Sequence, residues 1–346
     1  MSNHKIHPGT HAMAGISHGM MARAYFLAKP FIPRSFRLAL RRIRIPFIIK
    51  RSANVWPIDE SAGEAPPDWK GWPHNKQFAL VFTHDVESEV GLAKSKSLAE
   101  LEMGYGFRSS FNFIPEGSYH DPVSLRRWLE ENGFEVGVHD LNHDGHLYES
   151  RESFSKKADT INGYLGKWGA VGFRSGFMLR QLDWLHDLNV LYDTSTFDTD
   201  PFEPQPEGSH TIFPFHIKPP AGVQGPGYVE LSYTLPQDST LFLLMREKTT
   251  EIWKCKLDWI ARHGGLALVN IHPDYIDFHG DGDATSCYPV TLLKEFMDYI
   301  RLEYEGTFWN PVARDLASWF QNQTCVAENP PQNSHLPKST LPPPNS

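Results

Sequence analysis

Phe78-Ala-Leu-Val-Phe-Thr-His-Asp-Val-Glu87 and Glu135-Val-Gly-Val-His-Asp-Leu-Asn-His-Asp-Gly-His146 are the two stretches that decide the fold. Each is a short apolar run that stops abruptly at side chains able to bind a metal or move a proton. In the first these are His84, Asp85 and Glu87, and in the second His139, His143 and His146. A short, near-continuous apolar run reads as a strand buried on both faces. In parallel α/β folds the carboxyl ends of the strands form the active-site rim. The two stretches therefore predict a parallel sheet whose rim holds a metal through one carboxylate and two histidines, the arrangement of a metal-dependent hydrolase.

Outward from these runs, strand-like and helix-like segments alternate from Gln77 onward. Strands are predicted over residues 78–83, 111–114, 134–138, 170–173, 190–192, 228–233, 266–271 and 307–309. Asp121 is expected to cap a helix, with Pro122 at its first position and Gly133 just past its end. Phe154, Ala158, Ile161 and Leu165 mark one helix face; Leu182, Leu185 and Leu188 mark another; Trp253, Leu257 and Ile260 mark a third. Residues 292–304 read as a helix, and Asn310-Pro311 opens a last one. Residues 201–226 form an irregular, Pro-rich insert. Repeated βα units with apolar strands predict the α/β class and a barrel-like sheet of about seven strands.

The division expected from the sequence is a basic arm and linker over 1–75, a catalytic domain over 76–322, and a disordered Pro/Asn/Ser-rich tail over 323–346. The chain carries a net charge of -8, yet no Asp or Glu precedes Asp59, while ten Lys or Arg do. A basic arm on an acidic body argues against a nucleic-acid enzyme and for an anionic surface as the arm's partner. Within the arm Phe36, Leu40, Ile43 and Phe47 fall at helical spacing, with Arg34, Arg37, Arg41 and Arg44 on a second stripe. Pro33 and Pro46 confine the expected helix to about residues 35–45. Such a helix lies on a membrane interface or docks on the body. No apolar run reaches the roughly 18 residues of a membrane span, and no signal peptide is expected. Three scattered cysteines, Cys255, Cys287 and Cys325, make no disulfide framework and point to a reducing compartment. The expected setting is the cytoplasm or the inner face of a membrane.

His139 and His143 are four residues apart. If the chain turns helical after the strand, both imidazoles lie on one face and can share an ion. A catalytic Zn²⁺ takes three protein ligands and leaves one position for water. A carboxylate from the end of the first strand completes the set. Asp85 and Glu87 point the same way if that strand continues through them. His146 is left as a rim residue.

With these residues in place, the chain resembles the polysaccharide deacetylases, carbohydrate esterases of the NodB-homology type, over residues 77–319. The resemblance rests on five short motifs in order: Thr83-His84-Asp85-Val86-Glu87; His139 with His143; Gly-Phe-Arg174-Ser-Gly; Tyr192-Asp193-Thr-Ser; and Leu-Val-Asn-Ile-His272. It implies the irregular (β/α) barrel of that family. It also implies a divalent metal, with zinc as the expected ion, held by Glu87, His139 and His143. Asp85 is then the general base, His272 the acid, and Arg174 the group that orients Asp85. A second alignment would make Asp85 the ligand and place His84 near the base position. Asp193 stands as an accessory group or a turn residue. The third motif departs from the family at Gly176 and Phe177, and the fourth lacks its Trp.

The wider texture (Thr-His-Asp-Val, Asn-His-Asp-Gly, Thr-Asp-Pro-Phe-Glu-Pro, His-Pro-Asp-Tyr) resembles a bacterial subgroup tied to surface-polysaccharide biosynthesis. The implied activity is removal of N-acetyl groups from an amino sugar in such a polysaccharide or its precursor. Hydrolysis of another C–N bond, as in a cyclic imide or ureide, is the alternative within enzymes. An inactive glycan-binding relative is the alternative outside them.

Overall fold

The computed structural model describes residues 34–222 and 225–328. The chain falls into two compact units, residues 1–44 and 45–346. The beginning of the basic arm and the Pro-rich end, residues 329–346, lie outside the described residues.

Helix α1 spans Arg34–Ser52 and runs through Pro46. It is longer at both ends than the prolines suggested. In the second unit, β1 (Phe78–Val86) is buried along its whole length. It pairs in parallel with β2 (Ser109–Phe113) on one edge and with β8 (Leu266–Ile271) on the other. From β2 the sheet continues through β3 (Glu135–His139), β4 (Gly172–Arg174), β5 (Tyr192–Asp193) and β7 (Tyr228–Glu230), all parallel. The short β6 (Phe215–Ile217), from the Pro-rich insert, adds antiparallel to β7. At the start of β1 lies β9 (Phe308–Trp309). Beyond β7 the chain reaches β8 through a parallel bridge between Leu235 and Val269, with the Thr234 and Leu235 N–H groups donating to Leu268 O. The ring is thus closed irregularly, by one bridge rather than by a full ladder.

The helices are α2 (Glu89–Tyr105), α3 (Val123–Glu131), α4 (Arg151–Trp168), α5 (Glu251–His263), α6 (Val290–Tyr304) and α7 (Ala313–Glu328). The periodic ones form where their apolar faces predict. Leu182–Asp187 is a 3-10 turn instead of an α-helix. Asp121 does not cap α3, whose first turn has no side-chain cap. Its carboxylate instead pairs with Arg126 at 2.8 Å and Lys167 at 2.9 Å. Helix α2 escapes sequence reading because its buried face is Gly91, Ser95, Leu98, Ala99 and Glu102. Only two of these are large or moderate apolar side chains, so the helical period is faint.

The single charge inside β3 has a structural use. Glu135 is fully buried and accepts from Ser110 Oγ (2.6 Å), Tyr192 OH (2.9 Å) and the Arg314 N–H (2.9 Å). A carboxylate there satisfies donors at the start of α7 that would otherwise be buried without partners. Inside the ring Ala79, Val81, Tyr192, Val229, Leu231, Leu266 and Leu268 form one apolar cluster. The polar ends of β1, β3, β4 and β8 lie above it, on one rim.

Candidate metal centre and active site

Ligand atoms of Glu87, His139 and His143 all lie within 4.8 Å of one another. His139 ends β3. Its Nδ1 faces the Arg174 carbonyl at 3.1 Å, which directs that proton to the backbone and leaves Nε2 as a lone-pair donor. Nε2 of His139 and Nε2 of His143 are both buried with no hydrogen-bond partner. Nε2 of His143 lies 3.3 Å from Oε1 of Glu87 without bonding to it. Two orphaned imidazole nitrogens facing a carboxylate are costly unless something fills the gap between them. A divalent cation with nitrogen and oxygen preference fits that donor set. Burial lowers the His139 pKa, keeping the ring neutral as a ligand must be.

The two histidines meet by a different local path from the helical turn expected. Residues 140–146 form a loop in which Asp140 (φ 56) and His143 (φ 55) are left-handed. Asp and His enter that region more readily than most residues. The Asp140 carboxylate accepts from the Leu141 N–H (2.6 Å) and the Gly176 N–H (3.2 Å), tying this loop to the one after β4. The ring of His143 stacks on Phe177, centroids 4.3 Å apart. A Cβ at Gly176 would stand 2.5 Å from Asp140 Oδ2 and 2.7 Å from His143 Cδ2. Gly176 and Phe177 therefore seat His143. Gly176→Ala is expected to weaken divalent-cation binding at this group about tenfold or more, the usual worth of a group that supports a ligand. Chelator-competition titration of the purified variant checks it, and an unchanged dissociation constant would show that His143 relaxes freely.

Asp85 sits beside this group, 2% exposed. Asn112 Nδ2 donates to Oδ1 at 3.0 Å and Asn270 Nδ2 to Oδ2 at 2.8 Å, while Arg174 Nη1 lies 3.3 Å and 3.4 Å from the two oxygens. Burial alone would raise the Asp85 pKa. Arg174 first, then His139, His272 and the Asn112 bond, outweigh it and hold the carboxyl well below the usual carboxylate range. Arg174 is itself fully buried and also donates to Thr83 Oγ1, Thr194 and the Asn270 side-chain oxygen. Neither Asn112 nor Asn270 was singled out in the sequence.

His84 turns the other way. It is fully buried, with Nε2 2.8 Å from Glu102 Oε1 and Nδ1 3.3 Å from the Ile271 carbonyl. Along a strand adjacent side chains alternate faces, so His84 anchors α2 to β1 and stays off the face that Asp85 occupies.

His272 follows β8. Its Nδ1 lies 2.7 Å from Asp238 Oδ1, and its backbone N–H donates to Asp238 Oδ2 at 2.9 Å. Burial would lower the His272 pKa, but Asp238, with help from Glu87 and Asp85, pushes it up to about 10. Its Nε2 faces the metal group, 3.9 Å from Glu87 Oε1. Asp238 escaped the sequence reading, and a lone Asp in Gln-Asp-Ser-Thr carries no signal for it. Asp193, left open as an accessory group or a turn residue, is buried on β5, where its carboxylate accepts from the Ser195 N–H (2.9 Å) and Oγ (2.7 Å) two residues on, as a turn residue does. His146 is exposed and outside the metal group.

No protein-family model and no curated protein sequence matches the chain. Among solved structures it is similar to a Mycobacterium smegmatis protein assigned as a polysaccharide deacetylase. The TM-score is 0.55 and the identity 16%, over 82% of this chain and 99% of that one. The Xyl-CE4 domain of a multidomain xylanase from the hindgut metagenome of Trinervitermes trinervoides matches with a TM-score of 0.40 and 13% identity, over 70% and 91% of the two chains. A family 4 acetyl xylan esterase from Clostridium thermocellum, in complex with a cobalt ion, gives 0.41 and 11%, over 70% and 91%. At such identities only fold is shared, and the first of them carries that conclusion: the second unit of this chain is an irregular (β/α) barrel of the NodB-homology type.

Proposed function

We propose that this chain is a zinc-dependent deacetylase that removes N-acetyl groups from an amino sugar in a surface polysaccharide or its precursor. The observation that carries the reading is the pair of orphaned imidazole nitrogens beside Glu87, with Asp85 and His272 on either side. Glu87, His139 and His143 would hold a divalent cation, which would lower the pKa of a bound water and polarise an amide carbonyl. Asp85, kept ionised by Arg174, takes a proton from the attacking water. His272, kept protonated by Asp238, gives a proton to the leaving amine. Two groups whose surroundings drive their pKa values apart suit opposite halves of one acid–base reaction. The test is acetate release from N-acetylated oligosaccharides by the purified protein, before and after chelation and zinc return. Acetate is expected only with zinc. A zinc-loaded protein that releases no acetate but hydrolyses a cyclic imide or ureide would favour the other C–N hydrolase.

We also propose contact between the basic arm and an anionic membrane surface on the cytoplasmic side. On α1, Leu40, Ile43 and Phe47 are 49%, 76% and 68% exposed, and Arg41, Arg44, Lys50 and Arg51 are exposed beside them. An apolar face flanked by cations suits an interfacial helix. Among the described residues no helix is long and apolar enough to cross a membrane. Each cation near an anionic leaflet adds about 1 kcal/mol, screened by salt. Co-sedimentation with anionic vesicles is expected to fall with added salt and with deletion of residues 1–52. Equal sedimentation of the truncated protein would favour a helix docked on the body.

A further inference from the structure

The turn after β8, His272-Pro273-Asp274-Tyr275, packs on Glu87, the residue that follows β1, and on Ser88 beyond it. Asp274 Oδ2 accepts the Glu87 backbone N–H at 3.0 Å, and its other oxygen accepts from Ser88 Oγ. Ser88 is the N-cap of α2, and its Oγ in turn accepts from the Val90 and Gly91 N–H groups. The turn can come this close because residue 91 has no side chain. A Cβ there would stand 2.0 Å from Asp274 Oδ2. Lys94 Nζ closes the junction by donating to the Asp274 carbonyl at 3.2 Å. Asp274 thus pins the backbone of Glu87 to the first turn of α2.

Tyr275 fixes the carboxylate itself. Its hydroxyl donates to Glu87 Oε2 at 2.6 Å, while Oε1 is the oxygen that faces His143 and His272. The Tyr275 ring packs on His272, centroids 5.0 Å apart, which holds the hydroxyl in place. One carboxylate oxygen is therefore occupied and the other directed at the imidazoles. Asp85 shows the opposite treatment, since both of its oxygens are taken by donors.

We propose that Asp274 and Tyr275 are positioning residues for the metal's carboxylate ligand: they set Glu87 to bind through Oε1 alone, and so decide that Glu87 rather than Asp85 completes the site. This rests on the zinc-binding reading above. A ligand's outer hydrogen-bond partner is worth about 10–100-fold in metal affinity. Tyr275→Phe keeps the ring on His272 and deletes only the hydroxyl. Zinc affinity, measured by chelator competition on the whole chain, is expected to fall at least about tenfold in that variant. In a Glu87→Ala background, where two imidazoles remain to hold zinc, the same substitution is expected to leave the weaker affinity unchanged. A double-mutant cycle of this kind isolates the Tyr275–Glu87 coupling. Equal zinc affinity of wild type and Tyr275→Phe would overturn the positioning role while leaving the metal centre standing. An equal loss in both backgrounds would overturn it too, by showing that the hydroxyl acts by a route other than Glu87. A wild-type protein that binds no zinc would overturn the metal centre and this inference together.

Discussion

Replacing His139 by alanine is expected to abolish both tight zinc binding and acetate release. The expected fall in zinc affinity exceeds the roughly 10–100-fold that a mere supporting partner contributes, because one of three protein ligands is lost. Among the described residues the group there consists of Glu87, His139 and His143. His143→Ala is expected to behave alike and to leave the Phe177 ring without its stacking partner. Metal content by mass spectrometry, read beside acetate release, checks both variants. Full acetate release by His139→Ala would end the metallo-deacetylase reading.

The second large effect separates the two carboxylates at the end of β1. Asp85→Asn is expected to keep zinc and lose turnover by roughly 10²–10⁴, the worth of a positioned proton acceptor. It should also cost stability. An amide at position 85 cannot accept from Asn112, Asn270 and Arg174 together, and it leaves the Arg174 guanidinium buried without its counter-ion. Breaking a buried pair in this way costs about 3–5 kcal/mol, so a lower unfolding midpoint is expected alongside the kinetic loss. Glu87→Gln is expected to do the reverse. Glu87 is half-buried and has a lowered pKa, because His143, His272 and the Tyr275 hydroxyl outweigh its burial. An amide there is a poorer ligand for a dication, so zinc content should fall while the fold survives. Zinc lost from Asp85→Asn but kept by Glu87→Gln would exchange the two roles.

These contrasts mark what the chain's local pattern could reveal. The run 266–271 is a strand because six consecutive residues are buried on both faces of a parallel sheet, and an unbroken apolar run is the mark of that environment. The stops at Asp85, His139, Arg174 and His272 were visible for the same reason: a polar residue ending such a run has to lie at the rim. The partners of those residues left no such mark. Asn112 reaches Asp85 because β2 pairs with β1 in the register that sets Asp85 opposite Asn112, and Asn270 because β8 sets Thr83 opposite Asn270. These contacts span 27 and 185 residues, and nothing local to either asparagine announces them.

The same holds for the loops. Asp238 was not singled out, because only the path of the chain beyond β7 brings it under His272. A helical turn was expected between His139 and His143 from their spacing alone. The tertiary structure instead uses left-handed backbone at Asp140 and His143, held by the Gly176 N–H and the Phe177 ring from another loop. Helix α2 was invisible because Gly91, Ser95 and Glu102 serve packing and hydrogen bonding against other elements instead of an apolar stripe. The sequence by itself determined the main parallel strands and the residues at the rim, since burial on both faces is written along the chain as short apolar runs; the antiparallel β6 lies in the stretch expected to be irregular. Which donor holds which carboxylate was decided only by the tertiary structure, since strand register and loop path depend on packing across the whole barrel.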